Sequence, residues 1–334
     1  QVFHEKLTQD QAQSFLCNAL QEHFRQYNGW DTSREYQIRI SAKGRVLCSR
    51  KAIPNQAPRA VQSHNRKKRY LLEEGMVIQP LVDLGIFTKE GKVIHAMYDK
   101  YKQINRFLEM VDDVSDNLPR QRPLRVIDFG CGKSYLTFIL YYYLTVIKKR
   151  EVQMVGLDLK ADVIEKCNQT ARKYGYDGLH FELGDINGYQ LAGEVDLVIT
   201  LHACDTATDY ALFNAVSWGA RVILSVPCCQ HELNGQIQSE QFSILTRYGI
   251  VKERAAALMT DAIRANLLEC CGYKTQLLEF IDLAHTPKNI LIRAVKRAPS
   301  QRPRRACSRR RNPSWRNFLL HPTLYRLLKE AGRI

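Results

Sequence analysis

Hydrophobic spacing divides this chain into two regimes. Up to about residue 119 the apolar positions are scattered and their period changes from segment to segment. Residues 9–27 carry helical spacing, with Leu16, Leu20 and Phe24 on one stripe. YQIRIS and RVLCSRKAI alternate like two short strands, and AKG between them supplies the turn of a basic hairpin. Residues 65–94 mix strand and loop character, and a long helix is predicted over about residues 96–116. The Pro-containing break NLPRQRPL then marks a domain boundary.

Beyond that break, apolar runs of strand length alternate with helical segments. LRVIDFG, VQMVGLDL, LHFELGD, VDLVITLHA and RVILSVPCC read as buried strands, with helices between them. Near-continuous apolar strands separated by helices predict a doubly wound α/β sheet. YKTQLLEFIDLA and KNILIRAVK follow with little helix between them, so they are expected to pair as an antiparallel edge hairpin. The chain then turns Pro- and Arg-rich and offers one more amphipathic helix over about residues 315–331. The expected organisation is a basic α+β region at 1–95, a connecting helix and linker at 96–119, an α/β domain at 120–297 and a basic tail at 298–334.

Charge changes this picture more than size does. The formal net charge is +15 over 334 residues, and it is unevenly placed. Residues 39–69 hold ten Lys or Arg and no acid; from Arg297 onward there are eleven basic residues and one acid, Glu330. Blocks this one-sided predict a polyanionic partner, nucleic acid first, with Arg66, Lys67, Lys68 and Arg69 as candidate contacts. Tyr36 and Tyr70 flank the first block, and a basic groove with aromatic platforms suits RNA. No apolar run approaches the length of a membrane span, and QVFHEKLTQD lacks the basic-then-apolar pattern of a secretory signal. Ten cysteines, two pairs of them adjacent, read as reduced thiols of a cytoplasmic protein. No metal site is expected, and the oligomeric state is left open.

The sharpest local pattern is VIDFGCGKSYLT. Its GKS ending is that of a phosphate-binding P-loop, but the glycine such a loop requires falls on Ile127, inside an apolar strand. A dinucleotide fingerprint needs a third glycine where Tyr135 stands. The remaining frame is Asp128, Gly130, Gly132 and Ser134 between a strand and a helix. Here the chain resembles the class I methyltransferases, whose loop is usually D/E-x-G-x-G-x-G; Ser134 replaces the third glycine. The resemblance implies a Rossmann-like, seven-stranded, mostly parallel sheet and S-adenosyl-L-methionine as cofactor. Glycines let the backbone approach the ligand, and a helix N-terminus favours its carboxylate. Asp158, ending the second strand, sits where an acid grips ribose hydroxyls in analogous folds. Asp185 matches the residue that this superfamily places near the adenine amine, and Ile186 the one packing on the ring.

Ligands of open α/β sheets bind beyond the carboxyl ends of the strands. Two motifs stand there: LHACDTATD after the fourth strand and PCCQHE after the fifth. They bring His202, Asp205, Cys228, Cys229 and His231 forward as catalytic candidates. The pair resembles a methyltransferase-domain family of bacteria and eukaryotes, and more loosely the tRNA 2′-O-methyltransferases carrying H-x-C-G and C-C-H-H; the likeness covers about residues 70–296. Three mechanisms stay open: His202 or His231 as general base, Cys228 or Cys229 as nucleophile, or catalysis by positioning alone. The expected activity is methylation of RNA (rRNA or tRNA). The alternatives are a protein or small-molecule methyltransferase, or a catalytically silent RNA-binding protein of this fold.

Overall fold

The computed structural model describes residues 5–31, 33–52, 69–132, 134–190, 193–201, 203–238, 243–280, 289–298 and 320–334. They fall into two compact units, split between residues 68 and 69.

In the smaller unit, helix α1 (Gln9–Glu22) starts at a capping box: Thr8 Oγ1 accepts from the Gln11 amide, and Gln11 Oε1 accepts from the Thr8 amide. The helix is shorter than its spacing predicts, because the chain turns into strand β1 (Gln26–Trp30). β1 pairs antiparallel with β2 (Arg34–Ile40), and β2 with β3 (Val46–Ala52). The basic hairpin is therefore present, closed by a turn in which the Gly44 amide donates to Ser41 O at 2.9 Å. QYNGW, which becomes β1, is too polar for its alternation to register as a strand.

The larger unit is built on seven strands in the order β6-β5-β4-β7-β8-β10-β9: β4 (Leu124–Phe129), β5 (Val152–Asp158), β6 (Leu179–Leu183), β7 (Leu197–Thr200), β8 (Val222–Ser225), β9 (Tyr273–Glu279) and β10 (Ile290–Lys296). β4 through β8 are mutually parallel, and β10 runs antiparallel to both β8 and β9. The predicted seven-stranded, mostly parallel α/β sheet with an antiparallel edge hairpin is what the chain forms. Every residue of β7 and β8 is buried, which is why these strands read as unbroken apolar runs.

Helices α4 (Tyr135–Tyr142), α5 (Ala161–Lys173), α6 (Thr206–Ser217) and α9 (Gly249–Cys270) join the strands, with α7 (His231–Gln236) and α8 (Ser243–Thr246) between β8 and α9. On α5, Ile164, Cys167 and Ala171 form the buried stripe that its i, i+3, i+7 spacing dictates.

The compact unit begins at Arg69 rather than at the Pro-containing break. Short helix α2 (Gln79–Asp83) and long helix α3 (Tyr98–Asp112) belong to it. Leu72, Leu81, Ile104 and Phe107 share one buried cluster with Leu124, Val126 and Leu197 of the sheet. Buried Asn105 fixes this attachment by accepting from the Leu72 amide at 2.9 Å, while Tyr101 Oη donates to Leu72 O at 2.6 Å. At the other end, Leu320, Leu324 and Leu328, the latter two on the last helix, α10 (Thr323–Glu330), join the second buried cluster. Arg326, Lys329 and Arg333 stay outside that core. Residues 299–319, with most of the Arg-rich tail, lie outside the described residues.

Candidate active site

The chain reverses direction across the sheet between β4 and β7. β4 leads outward through β5 to β6, and the next strand returns to β4's other side. Such a switch point leaves a crevice at the strands' carboxyl ends. The loop after β4 forms one wall of it.

Gly130 (φ 68°), Gly132 (φ 53°) and Ser134 (φ 58°) all take left-handed backbone. The usual third glycine is thus replaced by a residue that adopts the glycine conformation, at a cost of about 1–2 kcal/mol. Ser134 is held there by its neighbours: its Oγ donates to Gly132 O at 3.0 Å and accepts from Cys167 Sγ at 3.3 Å. Lys133 lies outside the described residues. Gly156 keeps β5 clear of the same region, because a Cβ there would stand 2.5 Å from the Phe181 ring and 3.2 Å from Cys131 Sγ.

Asp128, on β4, is almost wholly buried, with Thr137 Oγ1 donating to its Oδ2 at 2.5 Å. Burial pushes its pKa up to about 7, and the threonine bond opposes that rise. Asp158, at the end of β5, accepts the Gly132 amide at 2.9 Å through Oδ2 and the Lys160 amide at 3.1 Å through Oδ1. The second acid therefore braces the glycine loop directly. A cavity of about 330 Å³ opens above, with Asp128, Gly130 and Gly132 on one side, Leu84 and Lys100 on another, and Leu201 from the β7 tip. Lys100 Nζ lies 4.5 Å from the centre of the Tyr135 ring. Asp185 is exposed, its Oδ1 accepting the Asn187 amide at 2.9 Å; the Ile186 carbonyl takes a 2.7 Å bond from Asn214.

The tips of β7 and β8 meet, as their motifs predict. Asp205, with φ 52° and ψ −122°, is strained for a residue bearing a Cβ. Its Oδ1 accepts the His231 amide at 2.9 Å and the Glu232 amide at 3.1 Å, clamping one motif to the other. Beneath it lies a group that spacing alone does not reveal. Arg264 of α9, fully buried, makes two bonds to Asp209 (3.1 and 2.6 Å), one to Asp261 (3.2 Å) and one to Asp205 O (2.8 Å). Gln230 Nε2 donates to Asp261 at 3.2 Å, completing the link to the β8 tip. Burial raises Asp261 to about 6 although Arg264 pulls it down. A lone arginine in a long helix gives no warning of this role; the acids of LHACDTATD are its one hint in the sequence.

Cys204 Sγ lies 3.1 Å from Cys228 Sγ, and Cys229 completes a trio whose sulfurs lie within 4.8 Å of one another. Burial, followed by the neighbouring Cys204, pushes the Cys228 thiol up to about 12. His231 is exposed. His202, Arg66, Lys67 and Lys68 lie outside the described residues, and Arg69 is exposed with Glu73 3.8 Å away.

Residues 99–236, which include the glycine loop and both strand-tip motifs, match the family model of a methyltransferase domain. No curated protein matches this chain. Among solved structures it is similar to the plantazolicin methyltransferase in complex with SAH, at 15% identity over 65% of this chain and 94% of that one (TM-score 0.39). It is also similar to magnesium protoporphyrin IX methyltransferase from Synechocystis PCC 6803 with bound SAH, at 18% identity over 62% and 89% (TM-score 0.35). The likeness to coclaurine N-methyltransferase, at 15% identity and TM-score 0.29, covers 36% of this chain and spans only about a third (35%) of that enzyme. Among the described residues, no helix is long and apolar enough to cross a membrane.

Proposed function

We propose that this protein is an S-adenosylmethionine-dependent methyltransferase that modifies RNA. The observation carrying the first half is the loop after β4. Three left-handed positions and a buried acid line a cavity of cofactor scale, and a second acid, Asp158, accepts the loop's own Gly132 amide. The donor, when bound, supplies an electrophilic methyl on a sulfonium. Gly130 and Gly132 would admit its close approach, Asp128 would offer a carboxylate to its ammonium group, and Asp158 would be the acid for its ribose hydroxyls. Asp185 and Ile186 would serve the adenine. At the β7 and β8 tips the raised Cys228 thiol argues against Cys228 as the nucleophile, since a nucleophilic thiol needs a lowered pKa. An imidazole base from His202 or His231, or positioning of the acceptor alone, fits better.

The RNA half rests on charge. Ten basic residues without an acid at 39–69, together with Arg326, Lys329 and Arg333 near the C-terminus, support a polyanionic substrate. The same reading places the enzyme in the cytoplasm, where its thiols stay reduced. The test is transfer of tritiated methyl from S-adenosylmethionine into extract of cells lacking the protein, with and without prior RNase. Label lost to RNase supports the proposal, and nucleoside digestion then names the methylated atom. Label that resists RNase but yields to protease, or that resides in small molecules, overturns the RNA assignment.

A further inference from the structure

We propose that Cys204, Cys228 and Cys229 form a zinc(II) site at the tips of β7 and β8, with a fourth coordination position open to solvent. Three sulfur atoms from two loops lie within 4.8 Å of one another. Consecutive residues of an extended strand point to opposite sides, so adjacent cysteines are poor partners on paper. Here the chain has left β8 before Pro227 and does not enter α7 until His231, and both Cys228 and Cys229 bring their sulfurs to Cys204.

The donor set selects the ion. Thiolate sulfur suits zinc, whereas magnesium and calcium take oxygen ligands. A tetrahedral zinc with sulfurs at about 2.3 Å needs them about 3.8 Å apart. The trio brackets that value, with one pair at 3.1 Å and none beyond 4.8 Å.

The support around the trio is rigid. Asp205, next to Cys204, commits its carboxylate to the amides of His231 and Glu232, and Arg264 holds the Asp205 carbonyl. Gln230, next to Cys229, is tied to Asp261. Ligands braced from behind in this way keep their geometry without the ion. Cys204 is exposed while its two partners are half-buried, so the fourth position faces outward. Three protein ligands plus an open position is the arrangement of a zinc that takes a water or a substrate atom. Binding involves no redox step: each coordinating thiol surrenders its proton to solvent, about three in all.

Cobalt(II) is the probe, because thiolate coordination gives it intense near-ultraviolet charge-transfer bands and tetrahedral sites give it strong visible bands. The full chain, stripped with chelator and kept reduced by a phosphine, is titrated with cobalt(II) alone. Both sets of bands should saturate at one equivalent, vanish on adding zinc(II), and be lost in Cys204→Ser, Cys228→Ser and Cys229→Ser. They should persist in Cys17→Ser and Cys48→Ser. Absence of thiolate–cobalt bands in the fully reduced wild-type chain overturns the site, whatever the folding of the variants. So does their survival in Cys204→Ser and Cys228→Ser. The readout needs neither donor nor methyl transfer, so it stands apart from the proposed activity.

Discussion

Asp128 combines a fixed place in the cavity wall with a pKa raised to about 7 by burial. In the ligand-free protein the group is therefore about half protonated at neutral pH. A donor whose ammonium sits beside it favours the carboxylate, so binding expels a proton. Donor affinity should rise with pH through about 7 and level off above it. Calorimetry at pH 7 in buffers of different ionisation enthalpy should show release of about half a proton. Asp128→Asn should abolish both the release and the pH dependence. An affinity flat across neutral pH in the wild type means that Asp128 does not face the donor's charge.

Among the elements, α9 decides whether the two strand tips stay together. Arg264 neutralises Asp209 and Asp261 in a buried pocket and holds the Asp205 carbonyl at the strained position. Arg264→Met leaves two buried carboxylates without their cation and should cost about 3–5 kcal/mol, read as a lower denaturant midpoint. Asp261 carries a pH signature with a definite sign. Its folded pKa, about 6, stands above the ordinary carboxylate value, so its protonated form favours the fold. That contribution is complete below about pH 4 and is lost as pH rises through about 6. Asp261→Asn should flatten the stability profile across that window, measured by urea unfolding at each pH. An unchanged slope would place the titration elsewhere.

The same elements show what the sequence could and could not disclose. The seven-stranded sheet was legible because parallel strands buried on both faces, such as LVIT and VILS, leave unbroken apolar runs. The glycine loop was legible because left-handed backbone restricts residue choice, and Ser134 obeys the conformation while breaking the pattern. By contrast, Arg264 meets Asp209 across 55 residues, and no local spacing records that pairing. Lys100 and Leu84 were equally silent, since they precede the break at NLPRQRPL yet line the same cavity as Gly130. The break itself misled. Prolines mark where the chain turns, whereas a compact unit ends where burial ends, and the buried surface of α3 continues into the sheet.

At the scale of the whole molecule, the net charge of +15 is the feature that the methyltransferase fold does not require. If RNA is its purpose, replacing Arg66, Lys67, Lys68 and Arg69 together by Gln should weaken RNA binding with little regard to sequence. It should also lower the salt slope of the binding constant by about 3, near 0.7 for each single-strand phosphate left without its cation. Donor affinity should not change. An unaltered slope removes these four residues from the RNA path. The C-terminal helix is a poorer site for such a test, because Leu324 and Leu328 are core residues and its removal would unfold what it is meant to probe.

At the centre of the proposed function stands the loop after β4, which would bind S-adenosylmethionine with Asp158 as a direct contact. The most direct test is calorimetric titration of S-adenosylmethionine into the wild-type chain and Asp158→Ala side by side. One site is expected in the wild type, with at least a tenfold loss of affinity in the variant, about 1.4 kcal/mol. No binding to the folded wild type, or equal affinity in the two proteins, would contradict it.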